Sequence, residues 1–314
     1  MKKSIIAILL VAALAFTFVA CNNGGGGGTE PAAKDTFNIV LITMDRIDGH
    51  WITVDEGCRK AIEEIGEGKI EYKWDGPNGK DDAEQIECIN NAVAGGADLI
   101  LLAAKSFDAQ VAAIKEADAL GVVFIYVDSP ANWDGAIMTI KTNNEAAGKQ
   151  AGEQMLEGLA ELGITSGDIG IVSVDTQTAS TNAREDGFRS AFNGTDFTLL
   201  ETLYCEGMSD KAQTQAEAFI TQGVVGIFGT NEGSTIGVGN AIKEDGGNIV
   251  GVGFDTAASI VDLVKEGVLR CTMAQEPFQM GYQGMLAAYD YLANGVAPAK
   301  DVDSGAKAKG KDDF

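Results

Sequence analysis

Six short polar side chains follow apolar, β-branched runs in this 314-residue sequence: Asp45, Asp48, Asp128, Asn231, Asp255 and Gln275. Asp, Asn and Gln can each engage two donors or acceptors at once, which is what adjacent hydroxyls on a polyol demand. In open α/β sheets, ligands bind outside the carboxyl ends of the strands, where crossovers leave a crevice. The same residue types form turns and cap helices, so each of the six also has an architectural reading. The segment Met44-Asp-Arg-Ile-Asp-Gly-His-Trp51 adds the only histidine, His50, beside Trp51. A sugar ring has an apolar face, and a flat aromatic ring covers it at little entropic cost because it has few rotors. Trp51 has a second reading as a core residue at a helix start, and His50 as a surface loop residue. Trp133, just past Asp128, could wall the same crevice or cover a lobe surface.

Catalytic signatures are missing where they would stand. The sequence has no GxSxG and no HExxH, and Gly76-Pro-Asn-Gly-Lys80 is followed by Asp81 where a phosphate-binding loop needs Ser or Thr. Paired carboxylates, Asp128 with Asp255, are the one conceivable enzymatic route. A non-enzyme without cofactor is the expectation. Beyond Cys21 the cysteines are Cys58, Cys88, Cys205 and Cys271, with no CxxC and no nearby His, so no metal is expected. Cys58 and Cys88 fall on consecutive crossover helices, which a doubly wound sheet puts on opposite faces, and that argues against a bridge between them.

The elements that must position these residues repeat steadily from Phe37: a short apolar run, a turn, then a helical stretch with apolar residues three and four apart. Strands are predicted at 38–43, 70–74, 99–103, 122–127 and 137–142, with helices over 54–65, 83–94 and 109–120. A helix over 145–162 leads into a second series at 169–174, 198–204, 224–228, 249–254 and 269–273. The runs are continuously apolar, as buried parallel strands are. Val122-Val-Phe-Ile-Tyr-Val-Asp128 and Ile249-Val-Gly-Val-Gly-Phe-Asp255 each end on Asp, so the second half copies the first. A last helix over 279–293 has no place in the second series and returns to the first lobe. The chain therefore divides into an N-terminal lobe of 37–142 plus 277–300, a C-terminal lobe of 143–276 and a tail of 301–314.

Before the body, Lys2 and Lys3 precede an uncharged, mostly apolar stretch from Ser4 to Ala20, the pattern of a signal peptide over 1–20. Residues 21–36, with five consecutive glycines at 24–28, read as a flexible tether. Phe18-Val-Ala-Cys21 resembles a bacterial lipobox, which implies lipidation at Cys21, although that pattern prefers Leu where Phe18 stands. Asp and Glu number 46 against 23 Lys and Arg, a net charge of −23 that repels nucleic acid and anionic lipid alike.

Several motifs together resemble the ribose- and galactose-type periplasmic binding proteins of bacterial ABC importers. They are Phe254-Asp255, Phe228-Gly-Thr-Asn-Glu232, Ala183-Arg-Glu-Asp-Gly-Phe188, Thr272-Met-Ala-Gln275 and Thr142-Asn-Asn-Glu-Ala-Ala-Gly148, within a likeness that runs from about residue 37 to 302. The resemblance implies an α/β architecture of two Rossmann-like lobes, each a parallel sheet flanked by helices, joined by three hinge crossings and closing on one sugar. Position by position it implies ligand contacts from Asp48, His50, Trp51, Asp128, Asn182, Asn231, Asp255 and Gln275. The implied protein is a monomeric, exported lipoprotein facing the periplasm or cell exterior. It would hand a sugar or polyol to a membrane permease or, alternatively, dock on a chemoreceptor or sensor kinase. The sequence departs from the ribose type where His50 and Trp51 replace two aromatic rings and where Ser129 and Asn182 replace two arginines; Arg184 falls on a helix position not usually in contact with ligand. The galactose type's calcium loop is missing, and lysines stand in the usually apolar last strand. With only Arg46 nearby in sequence, the residues predict a neutral ligand, or one bearing an amine, over a phosphorylated one.

Overall fold

The computed structural model describes residues 34–246 and 248–314. The expected signal peptide, Cys21 and residues 22–33 of the expected tether lie outside the described residues. Lys34–Phe314 forms one compact unit.

The apolar runs form two sheets. In chain order the first is built from β1 (Phe37–Ile42), β2 (Ile70–Asp75), β3 (Leu99–Leu102), β4 (Val123–Val127) and β5 (Met138–Lys141). It runs in the spatial order β2-β1-β3-β4-β5, all parallel. Between these strands lie α1 (Gly49–Ile65), α2 (Asp82–Ala94) and α3 (Val111–Ala119).

After α4 (Asn144–Glu161) the second series begins with β6 (Ser166–Ser173), α5 (Ala179–Ala191), β7 (Asp196–Leu199), β8 (Leu203–Tyr204) and α6 (Ser209–Gln222). It continues with β9 (Gly226–Gly229), α7 (Glu232–Asp245), β10 (Val250–Phe254), α8 (Ala258–Lys265) and β11 (Leu269–Gln275). Its order, β7-β6-β9-β10-β11, repeats that of the first sheet, with β8 also paired to β6. In both sheets the strand order reverses beside the first strand, which opens a crevice at the carboxyl ends.

The chain passes between the lobes three times. β5 leads into α4, which packs on β10 and β11, and β11 leads into α9 (Pro277–Asn294), which packs on α1 and the first sheet. The third crossing joins β12 (Asp301–Asp303), parallel to β5, to β13 (Ala306–Gly310), antiparallel to β11. The C-terminal residues, expected as a tail apart from both lobes, are therefore divided between the two sheets. β13 is an edge strand in which Ala306 and Ala308 pack on the core while Lys307 between them is exposed. Lysine on an edge strand discourages pairing with another chain, which reconciles the charge with the strand. The three crossings meet at Thr142, whose hydroxyl lies 2.9 Å from Gln275 Oε1 and 3.3 Å from the Gly305 carbonyl.

Each lobe has a helix pair held at backbone contact by glycine. A Cβ on Gly57 of α1 would lie 2.1 Å from the Phe278 carbonyl oxygen of α9, and one on Gly281 2.0 Å from that of Val54. Gly148 of α4 and Gly187 of α5 make the corresponding approach in the second lobe, 2.0 Å from Arg184 O and Glu145 O. These contacts fix α1 and α5, two of the helices that carry cleft residues. Cys58 packs in the core on one face of the first sheet and Cys88 against the other. All four described cysteines are free.

Candidate functional site

Asp128 and Asp255 end β4 and β10, and both adopt the left-handed region, φ 65° and 75°. Each backbone N–H donates to the neighbouring strand, Asp128 to Ile140 O at 2.9 Å and Asp255 to Met273 O at 3.0 Å. Positive φ is costly for a residue with a Cβ, and such strain collects at functional positions. The repeated geometry aims one carboxylate from each lobe into the space between them.

His50 lies between the two aspartates. Its Nε2 is 3.6 Å from Asp128 Oδ1 and its Nδ1 3.6 Å from Asp255 Oδ1, too long for hydrogen bonds and close enough for ion pairs. Burial lowers the imidazole's proton affinity, but the two carboxylates outweigh it and raise the pKa to about 10. Asp255 answers in the opposite sense: burial raises it, while His50, Arg184 and Gln275 bring it down to about 2. Asp128 is likewise lowered, with burial opposed by His50 and Arg184. Neither aspartate holds the proton a general acid would donate.

Arg184 enters from α5. Its Nε donates to Asn144 Oδ1 at 2.7 Å and Nη1 to the Thr230 carbonyl at 2.9 Å. The guanidinium lies 4.2 Å from the Phe254 ring centroid, with Nη2 3.9 Å from Asp128 Oδ1. Lys80 enters from the Gly76–Lys80 turn and pairs with Asp48 at 2.5 Å and Asp45 at 3.4 Å. Burial opposes its charge, yet the two carboxylates hold its pKa above the ordinary range. Further ties join the lobes at the rim: Lys105 with Asp175 at 2.6 Å, Phe107 N–H to Gln177 O at 2.8 Å, and Gly49 N–H to Glu232 Oε1 at 3.2 Å. The pocket that Asp128, Asp255, His50, Arg184 and Lys80 line between the lobes is about 30 Å³, so a monosaccharide fits there only when the lobes part.

Two lobes of repeated topology, joined by three crossings, thus enclose a polar cleft. The family described as periplasmic binding protein domain matches residues 39–295. The chain belongs to that family.

Among relatives of this periplasmic binding protein is the ribose import binding protein of Haemophilus influenzae, 25% identical over 88% of this chain and 92% of its own length. Solved structures similar to it include an ABC transporter solute-binding protein from Agrobacterium vitis bound with α-D-tagatopyranose. That chain has 26% identity and a TM-score of 0.83, over 88% of this chain and 95% of its own. A second solute-binding protein from the same organism, bound with D-fucose, gives 28% identity and a TM-score of 0.81, over 88% and 96%. The shared architecture is that of the type I periplasmic binding proteins.

Asp48, His50, Trp51, Asp128, Asn231, Asp255 and Gln275 all line the cleft of this binding protein. His50 and Trp51 belong to the first turn of α1 rather than to a loop, and both are buried. Trp51 also packs in the first-lobe core, with its indole N–H unpartnered. Asn231 caps α7, accepting from Ser234 N–H at 3.1 Å, so its architectural and cleft-lining readings hold together. Gln275 donates to Asp255 Oδ1 at 2.7 Å and joins the cleft to the hinge through Thr142. Asp45 is a turn former, accepting from the N–H groups of Ile47 and Asp48. Trp133 packs edge-on against Phe124 on the outer face of the first lobe.

Two expectations change. Asn182 does not line the cleft; its side chain donates to the Thr176 carbonyl. On α5, Thr181, Arg184 and Phe188 share one buried stripe at helical spacing, and Asn182, about 100° from Thr181, falls off it. That spacing was the available signal for Arg184. The cleft also has cations that the sequence reading did not supply, Arg184 and Lys80, while Arg46 points to Asn78 on the surface. Lys80 and Glu232 carried no comparable signal, since each reaches the cleft through a neighbouring turn or helix start.

Proposed function

We propose that this chain is the substrate-binding subunit of a sugar importer, anchored by lipid at Cys21. It captures a monosaccharide or polyol free of acidic groups and presents it to a membrane permease as the lobes close. The observation that carries the reading is the matched pair Asp128 and Asp255, one from each lobe, facing a single cleft with Asn231 and Gln275 beside them. Ionised carboxylates accept from sugar hydroxyls, and a ligand held by both lobes shifts the open–closed equilibrium towards the closed form. The sugars bound by the similar solute-binding proteins favour a sugar, and the carboxylates disfavour a phosphate, whose charge they would repel. The proposed site binds and releases its ligand without transforming it.

A thermal-shift panel on the tether-free body tests this, using pentoses, hexoses, inositols and nucleosides, each sugar beside its phosphate. A ligand at 100 times its Kd adds about 2.7 kcal/mol of stability. Stabilisation by at least one parent sugar or polyol supports the reading. Stabilisation by phosphates alone, or by no sugar or polyol, overturns it.

A further inference from the structure

The charges of the cleft do not balance. Asp48, Asp128, Asp255 and Glu232 line it against His50, Lys80 and Arg184. Lys80 contacts Asp48, Arg184 approaches Asp128, and His50 lies against Asp255 as well as Asp128. Glu232 forms an ion pair with none of these cations. It is only 8% exposed, and its one hydrogen bond is the Gly49 N–H of the opposite lobe, received by Oε1. Burial raises its pKa to about 7, helped by Asp255 and Asp48 and only partly offset by the Gly49 N–H and the more weakly felt His50. A buried carboxylate without a counter-ion is costly, and buried charges are normally paired.

The surroundings show what the partner would be. Glu232, Asp255 and His50 also line an adjoining pocket of about 150 Å³, together with Thr53, Thr256 and Pro277. A group of one positive charge with several N–H donors would satisfy Glu232 Oε2, which receives no hydrogen bond among the described residues, and would reduce the excess of negative charge in the cleft. Asp128 Oδ1, buried and without a hydrogen-bond partner, supplies a second free acceptor in the same cleft.

We propose, resting on the sugar-binding reading, that the preferred ligand is an amino or imino sugar whose ammonium is received by Glu232 at the junction of cleft and pocket. Hydroxyls of the same ring occupy Asp128, Asn231 and Gln275. The anionic sugars are excluded by the carboxylates that favour the cation.

Calorimetry on matched pairs at pH 7 tests the proposal: D-glucose with D-glucosamine, D-galactose with D-galactosamine, D-mannose with D-mannosamine, and ribitol with 1,4-dideoxy-1,4-imino-D-ribitol. In at least one pair the amine should bind about tenfold or more tightly than its parent. Glu232→Gln, checked for folding by circular dichroism, should bring the two members level. Parents that bind as well as their amines in every pair overturn the proposal and leave the sugar-binding reading standing. So does an amine preference that survives in a folded Glu232→Gln protein. If no member of any pair binds, the amine proposal fails, and the sugar-binding reading is decided by the thermal-shift panel. The wild-type comparison decides alone if the variant does not fold.

Discussion

Replacing Asp255 by Asn should bring the titration midpoint of His50 from about 10 down to about 7. A unit charge 3.6 Å away at an effective dielectric of 20 contributes about 4.6 kcal/mol, equivalent to roughly three pH units. Asp128 stands at the same distance and contributes as much. Together the two attractions exceed the net rise from 6.5 to about 10, and the remainder is the cost of burying the imidazolium. Removing one leaves the other roughly cancelled by burial. Because His50 is the only histidine, ¹³C-histidine labelling gives a single ring Cε1–H signal whose shift follows its charge directly. The wild type should hold the imidazolium shift through pH 8, and Asp255→Asn should titrate near neutrality. The linked stability has a definite sign. A raised folded-state pKa gives stability that is complete below about pH 6.5 and is lost as the pH climbs through the raised value. The wild type should therefore lose up to about 1.4 kcal/mol per pH unit between pH 7 and 10, relative to a His50→Gln variant. A wild-type midpoint near 6.5, or an Asp255→Asn midpoint equal to the wild type's, refutes the bridged-histidine argument.

Asp255→Ala should weaken the sugar identified in the panel by roughly ten- to a hundredfold in calorimetry while the fold survives, since a hydrogen bond to a charged group contributes about 1.5 to 3 kcal/mol; an unchanged Kd would remove Asp255 from the site. Gly57→Ala places a methyl 2.1 Å from the Phe278 carbonyl oxygen and should lower stability by about 1 to 3 kcal/mol or more as α1 is pushed from α9. A thermal melt matching the wild type would show that the helix pair tolerates separation. Cys21→Ser should release the mature protein from the membrane fraction, because stable anchoring takes two or more acyl chains; retention after a salt wash would place the anchor elsewhere.

The repeating apolar runs of the sequence predict most strands within one or two residues, because a parallel strand buried on both faces needs uninterrupted apolar residues whatever its neighbours. Strand ends are equally local, which is why Asp128, Asn231, Asp255 and Gln275 stood out before any geometry was known. Boundaries moved where local signals were weak. α1 starts at Gly49, five residues before the predicted start at Val54, and takes in His50 and Trp51. The lysines of the last strand hid an edge position that only pairing with β11 reveals.

The sequence by itself therefore determined the two-lobe α/β plan and the pair of strand-end aspartates, since both depend on residues close together in the chain. Only the tertiary structure decided which charges meet. Lys80 faces Asp48 from 32 residues away, Arg184 reaches Asp128 from the other lobe, and Glu232 meets Gly49 across 183 residues. Coulomb interaction depends on separation in space and on burial, and no pattern of neighbouring residues specifies either until the lobes close on one another.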